Sequence, residues 1–314
     1  MKLKLFSGIL LTALIVLQLL IFFKSGKGYF YLELFEQANH LKLYTVIFVG
    51  IIALIQRDLL AVIFCSLGIA LLLFVIFEAS LNHKPQNPPS TERSQSYSLI
   101  QYNIWIKNKQ PHTITPKIKR LDPDFLLIEE LRKSDYAQFL QTLDYPYQYP
   151  PLKKSRPQGS VIFSRYPIQL VSNQLEKFKF IHYTITTNPE INIIQVHFTS
   201  PKTKYRIIRR NTEIEGLAQY LIDNKSTLKN LIIAGDFNSA PWQHSLKKMQ
   251  RTTGVKTNIA VSLKNGTWPS WLPPWVRVPI DSFYYTDSVE NVKSKVIDLV
   301  GSDHNAVFTR FEIF

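Results

Sequence analysis

Polar side chains recur at the ends of apolar runs in this chain: Asn103, Glu130, His197, Asp236 with Asn238, Asp281, and Asp303 with His304. The sharpest case is Leu231 to Trp242, LIIAGDFNSAPW. Leu231 to Ala234 reads as a short, fully buried strand, ended by Gly235 and barred from regular continuation by Pro241. Side chains alternate along an extended backbone, so Asp236 and Asn238 are expected to point the same way and Phe237 into the core. A carboxylate beside a carboxamide can orient or deprotonate a water, or ligate a hard cation through oxygen. An ordinary Asx turn after a strand explains the same residues with no chemistry, and the stretch alone does not choose. Taken singly, a strand-end His is usually just hydrogen-bonded and a strand-end Glu solvated. Taken together, the set covers acid–base, metal-ligand and oxyanion-stabilising roles.

The elements that must carry these groups are readable in outline. Strands are expected at 97–105, 125–128, 159–164, 180–186, 191–198 and 231–234, then from Ile280 to Phe283 and from Ala306 to Phe314. Helical spacing marks 113–121, a capped helix from Ser134 through Leu143, a long helix from Tyr205 to Asp223, and a short one over 243–249. The long helix has Ile207, Ile214, Leu217 and Leu221 on one stripe. Its first turns are dense in Arg and Lys, which reads as a solvated face before a phosphate-contacting one. Hairpins outnumber crossovers and no repeat is present, which argues for sheets layered with flanking helices.

The first 78 residues are of a different kind. Apolar runs fit three membrane spans, 5–23, 39–55 and 59–77, with two spans plus a re-entrant piece as the alternative. The middle one reaches full length only if Lys42 snorkels to the interface. The apolar run at 5–23 is too long for a cleavable signal, and no small-residue site follows it. Residues 79–96, rich in Pro, Asn, Gln and Ser, read as a polar tether, leaving 97–314 as the functional domain. The charge tally across the spans points weakly, and the short Gln56–Asp58 turn with its Arg favours the cytoplasmic side, so the C-terminal domain is expected outside. Cys65 is the sole cysteine and sits inside the third apolar run, which excludes an intrachain disulfide or a cysteine-ligated metal. With 37 Lys and Arg against 23 Asp and Glu, the chain carries a net +14, a field suited to nucleic acid, phospholipid headgroups or phosphorylated small molecules.

In order, YNIW, PDFLLIEEL, GSVIFSRYPI, VHFTSP, GDFNSAPW, PIDSFYY and GSDHNAVF resemble the successive motifs of the endonuclease/exonuclease/phosphatase family, the deoxyribonuclease I-like fold. The layout of spans, with a Thr267-Trp268-Pro269 motif before the Asp281 strand, is similar to a membrane-anchored bacterial branch resembling YafD. The resemblance implies a four-layer α/β/β/α sandwich and phosphoester hydrolysis with Mg²⁺ or Mn²⁺, at a bacterial cytoplasmic membrane. It implies Glu130 as metal ligand, Asp303 completing the acidic site, and Asn103 at the metal or phosphate. Asp236 would handle the attacking water, and Asn238 and His197 would contact phosphate. His304, polarised by Asp281, would touch a phosphate oxygen. Glu129 stands where the family usually has Gln, and either alters metal affinity or points to the opposite face. A nuclease, a phospholipid phosphodiesterase and a phosphatase all fit; so, as the competing class, does an inactive module that binds phosphorylated ligands or a partner protein. Trp268, Trp271 and Trp275 suit a headgroup interface, though loop or core packing is the simpler reading.

Overall fold

The structure, a computed structural model, describes residues 30–81, 94–150, 158–257 and 266–314. Two six-stranded sheets pack face to face. The first is built from β1 (Gln95–Asn103), β2 (Phe125–Arg132), β3 (Tyr147–Tyr149), β4 (Gln158–Ser164), β11 (Val289–Ile297) and β12 (Ala306–Ile313), in the order β11-β12-β1-β2-β4-β3. The second holds β5 (Ile168–Asn173), β6 (Phe180–Ile185), β7 (Ile191–His197), β8 (Leu231–Asp236), β9 (Lys256–Thr257) and β10 (Asp281–Tyr285), in the order β5-β6-β7-β8-β10-β9. Outside the first sheet lie α4 (Thr115–Leu121), entered through a 3₁₀ turn at Pro111–Ile114, and α5 (Lys133–Leu143). Outside the second lie α6 (Lys204–Asp223) and α7 (His244–Thr253). The result is the expected α/β/β/α order. The short or polar strands β3, β5, β9 and β11 were not legible as strands, because none carries a continuous apolar run.

The layering follows from the period-two alternation of the central strands. Leu99, Phe125, Leu127, Ile193, Ile232, Ala234 and Phe283 face the space between the sheets. Their neighbours Ile100, Leu126 and Ile128 pack under α4 and α5 with Ile118, Tyr136 and Phe139. On the other side, Ile194, Val196, Ile233 and Tyr284 pack under Ile214, Leu217, Leu246 and Met249 of α6 and α7. Each fully buried Leu, Ile or Phe of this kind contributes on the order of 2 kcal/mol. At the last rungs of the same parity the inter-sheet face turns polar: Gln101 and Asn103 on β1, Gln195 and His197 on β7, Asp236 on β8, Asp281 on β10. One end of the sandwich is therefore apolar and closed, and the other polar and open.

N-terminal to this sandwich, α1 (Phe30–Gln37), α2 (Asn39–Ile55) and α3 (Leu59–Leu81) run in sequence, with α2 and α3 packed together. The expected span at 5–23 lies outside the described residues. The other two expected spans are α2 and α3, and α3 continues to Leu81, past the anticipated end at 77. Among the residues whose side chains are described, no helix is long and apolar enough to cross a membrane. Lys42 does not snorkel: it is buried and donates to Asn39 Oδ1 at 2.7 Å, because its end of α2 packs against the sandwich. Leu43, Val46 and Val49 of α2 share a cluster with Ala240 and Trp242, just after the GDFN stretch.

Candidate active site

Strand register assembles the polar rungs. Parallel pairing of β7 with β8 sets His197 opposite Asp236, and antiparallel pairing of β10 with β8 sets Asp281 opposite Asp236. In the facing sheet, parallel β1 and β2 pair Asn103 with Glu129. Gly235 makes the first arrangement possible. Its φ is +144°, and a Cβ there would lie 2.0 Å from the Val196 carbonyl oxygen, so no other residue fits without displacing β7.

Glu129 and Glu130 are neighbours with opposite fates. Alternation carries Glu129 into the inter-sheet space, fully buried, where its Oε1 accepts from Gln195 Nε2 at 2.9 Å. Burial pushes its carboxyl well above the ordinary value, which favours the protonated form there. Glu129 thus shares the inter-sheet face of Asn103 and lies buried below the site, not on its open surface. The same alternation would send Glu130 outward under the helices. A register shift between Ile128 and Leu131 and a left-handed φ of +60° at Glu130 re-aim its carboxylate into the cleft. There Glu130 Oε2 accepts from the Ile106 amide at 2.9 Å, and Oε1 lies 3.2 Å from Asn103 Nδ2 and 3.5 Å from His197 Nε2.

Asp236 is 1% exposed and lies at the centre. Its Oδ2 accepts from Asn103 Nδ2 at 3.0 Å and Asn238 Nδ2 at 3.1 Å, and its Oδ1 from the Asn238 amide at 2.8 Å. That last bond is an Asx turn, with Asn238 at φ +49°. Asp236 and Asn238 share a side because the chain turns, not because a strand continues; Phe237 does point into the core. The Asx-turn and functional readings therefore describe one geometry. Asn103 presents its amide NH₂ to both carboxylates, while its carbonyl oxygen accepts from the Trp105 amide at 3.0 Å.

His304 sits in the turn before β12, its amide held by Ser302 Oγ, which in turn donates to the Asn103 carbonyl at 2.7 Å. The ring bonds Asp281 Oδ2 through Nδ1 at 2.8 Å and has Nε2 3.8 Å from Asp236 Oδ2. Burial opposes charge on this ring, but the carboxylates of Asp281 and Asp236 outweigh it and raise its pKa to about 10. Burial, then repulsion by Asp281, pushes Asp236 up to about 7. Asp281 is buried and also accepts from Gln101 Nε2 at 2.9 Å. Asp303, raised by burial, accepts from Trp268 Nε1 at 3.3 Å through Oδ2. Its Oδ1 is buried with no partner among the described residues.

Asp236, Asp281 and His304 offer ligand atoms all within 4.8 Å of one another, a group that can hold a metal. The His304–Asp281 bond already occupies Nδ1, however, and a cationic ring repels a cation. Glu130 and Asp303 line the open side of the same cavity, and the unpaired Asp303 Oδ1 is the kind of oxygen a hard divalent ion takes. A carboxylate-and-amide donor set with no thiolate fits Mg²⁺ or Mn²⁺.

Two cavities meet here. One of about 890 Å³ reaches past Asp236, Asn238, Asp303 and His304 to Lys202, Tyr205, Arg206 and Arg209. The other, about 850 Å³, runs towards Arg132, Tyr136, Tyr149 and Ser160. Ile106, Glu130, Lys179 and His197 line both. Arg206 and Arg209 of α6 thus border the cleft. Arg210 is neither solvated nor in the cleft: it is fully buried, with Nη2 2.8 Å from Glu33 Oε2 of α1. Trp268, Trp271 and Trp275 are 38%, 68% and 55% exposed, so core packing does not account for them. Trp268 lines the larger cavity, and Trp275 meets Tyr44 of α2 edge-on.

Sequence reasoning missed Gln101 and Ser302, which orient Asp281, Asn103 and His304, and missed Glu33 and Gln37. The available signal for the latter was an acidic-and-amide patch, ELFEQ over 33–37, between two apolar runs.

Residues 100–304 match the sequence profile of the Endonuclease/Exonuclease/phosphatase family, and the chain belongs to it. Solved structures share the fold. Truncated Caenorhabditis elegans TDP2 superposes with TM-score 0.54 at 14% identity, covering 69% of this chain and 97% of that one. The human Nocturnin catalytic domain, with a bound sulfate anion, gives 0.52 at 17% over 70% and 95%. The Staphylococcus aureus beta toxin gives 0.51 at 17% over 68% and 99%. No curated protein sequence matches the chain.

Proposed function

We propose that this protein is a membrane-anchored, divalent-metal-dependent phosphodiesterase. The observation that carries the reading is the convergence of Asn103, Glu130, His197, Asp236, Asn238, Asp303 and His304 on one cleft from two sheets. Diester rather than monoester is supported by the two cavities meeting at Glu130 and His197, one for each substituent of the phosphorus. Glu130 and Asp303, with Asn103 beside them, would hold Mg²⁺ or Mn²⁺, which neutralises phosphate charge when bound.

Asp236 orients the attacking water and takes its proton; a carboxylate brought to about 7 by burial suits a base at neutral pH. Cationic His304, fixed by Asp281, donates to a non-bridging phosphate oxygen and stabilises charge developing there. His197 and Asn238 contact the phosphate from the second sheet. Lys179, at the junction of the cavities, and Arg206 and Arg209 along the larger one, favour a polyanionic or headgroup-bearing substrate.

The anchor reading is supported by the outward face of α2 and α3, where Phe48, Ile51, Leu54, Ile55, Leu59, Leu60, Phe64 and Leu67 are exposed in series. On this reading the layout is similar to that of the YafD-like bacterial branch, and the domain is proposed to lie on the outer side of the cytoplasmic membrane. The test is a substrate panel on the full chain in detergent with Mg²⁺ or Mn²⁺: duplex and single-stranded DNA, RNA, sphingomyelin, phosphoinositides and a bis-aryl phosphodiester. Cleavage of at least one diester, lost on adding EDTA, is expected. Hydrolysis of monoesters only, or activity indifferent to EDTA, would overturn it.

A further inference from the structure

We infer that α1, which lies outside the segment matched to the family, is part of the active site, with Gln37 and Glu33 acting as positioning residues for the Asp236–Asn238 turn; the inference rests on the phosphodiesterase reading above.

The turn that carries the site is closed by its own Asx bond, but that bond alone does not fix it. Asn238 sits in the left-handed region, which Asn tolerates better than most residues yet still adopts at some cost unless neighbours hold it. Its side chain donates to Asp236 Oδ2 and to the Phe198 carbonyl, so any relaxation at Asn238 removes two donors from the carboxylate that handles water. The imposing contacts come from elsewhere. Two donors converge on the Asn238 carbonyl: Arg210 Nη1 at 2.9 Å and Gln37 Nε2 at 3.2 Å. Gln37 Oε1 accepts from the Ala240 amide at 2.8 Å, so one side chain grips the turn at both ends.

Arg210 can serve only because α1 answers its charge. It is fully buried, and Glu33, 2% exposed, supplies the carboxylate. Both Glu33 oxygens are used, by Arg210 Nη2 at 2.8 Å and Asn211 Nδ2 at 3.1 Å. The α1 backbone completes the attachment: the Glu33 carbonyl accepts from Gln243 Nε2 at 2.8 Å and the Glu36 carbonyl from Trp242 Nε1 at 2.7 Å. Four contacts therefore tie α1 to the seven-residue stretch 237–243, and each bonds a buried group. Leu34, Gln37 and Ala38 also line the larger cavity beside Asp236 and Asn238, so the helix is a wall of the cleft as well as its brace. The segment leading to the anchor thereby sets the geometry of the reacting centre.

The experiment uses the full chain in detergent micelles, with Mn²⁺ and bis(para-nitrophenyl) phosphate. Gln37→Met keeps the side-chain length and packing but removes both hydrogen bonds. It is expected to lower kcat about tenfold, the scale of one or two positioned bonds, with KM changed less than about twofold. Phe35→Ala, on the exposed side of the same helix, is expected to leave both unchanged. Amide hydrogen exchange gives a readout independent of turnover. The Ala240 amide should exchange at least about tenfold faster in Gln37→Met, while amides of β6 and β7 keep wild-type protection. Wild-type kcat together with unchanged Ala240 protection in Gln37→Met overturns the inference. Wild-type protein that cleaves no diester overturns the phosphodiesterase reading instead, and Ala240 exchange then still decides whether α1 holds the turn.

Discussion

Two regions of this molecule bury opposite charges, and they do so differently. Between α1 and α6, Glu33 and Arg210 form a pair in which both carboxylate oxygens and both terminal guanidinium nitrogens have partners. At the strand ends, Asp236, Asp281 and His304 form a chain that opens onto a cavity, with the Asp303 Oδ1 beside it unpartnered. The first arrangement is saturated and can only hold. The second leaves an oxygen with no partner among the described residues, on a side chain that lines a space large enough for a ligand, which is what a reacting centre needs. Burial of charge by itself does not distinguish a clamp from a site; unmet hydrogen-bonding capacity beside a cavity does.

Breaking that contrast should give effects of graded size. The largest is expected at the clamp: Arg210→Ala strands the buried Glu33 carboxylate and should cost about 3–5 kcal/mol in denaturant unfolding of the full chain. Replacing both partners with Met should recover most of that loss, since an apolar pair carries no desolvation penalty; a double variant as unstable as the single one would show that the pair is not acting as a clamp. At the open centre the expectation is reversed. Asp236→Ala and His304→Ala should each lower metal-dependent diester cleavage about 100-fold or more, roughly 2.7 kcal/mol of transition-state stabilisation, with the fold retained. Near-wild-type turnover in both would remove the centre from the chemistry.

The smallest effect is at Glu129, and its sign is set by linkage. Burial raises this carboxyl in the folded protein above its ordinary value of about 4.5. The folded state therefore holds a proton that the unfolded chain releases, so stability is full below about 4.5 and falls as pH rises towards the raised value. Glu129→Gln cannot ionise. It should match the parent near pH 4 and begin to exceed it in urea-melt midpoints as pH rises above about 4.5, with the metal requirement unchanged. A variant that loses stability as pH rises in parallel with the parent would place the ionised carboxylate, not the acid, in the folded state.

Much of the sandwich was legible because its central strands are rich in apolar residues. Phe125 to Ile128 and Leu231 to Ala234 are continuous apolar runs, Ile191 to Val196 is apolar at four of six positions, and all three are buried on both faces, which leaves a strong sequence signal. The edge strands β5, mostly exposed, and β11, alternating exposed and half-buried positions, left almost none. The site residues were visible for a related reason: a polar group ending an apolar strand stands out, as Asn103, His197, Asp236 and Asp281 did. What did not show was direction. Nothing in Glu129-Glu130 says that the first is buried between the sheets and the second opens onto the cleft; a bulge against β4 and a left-handed φ decide it.

By itself the chain determined its layers, the family and the identities of the groups at the strand ends, since these depend on local periodicity and on residue types at short spacing. Only the tertiary structure decided how they meet. Register across β7, β8 and β10 sets His197, Asp236 and Asp281 side by side, although 84 positions separate the first from the last. The Asp236–Asn238 turn, which a strand reading explains by alternation, owes its shape to an Asx bond within and to Arg210 and Gln37 from outside. Contacts between residues some 200 positions apart have no signature in local sequence, because the energy that selects them, the pairing of buried polar groups, exists only once the core has closed around them.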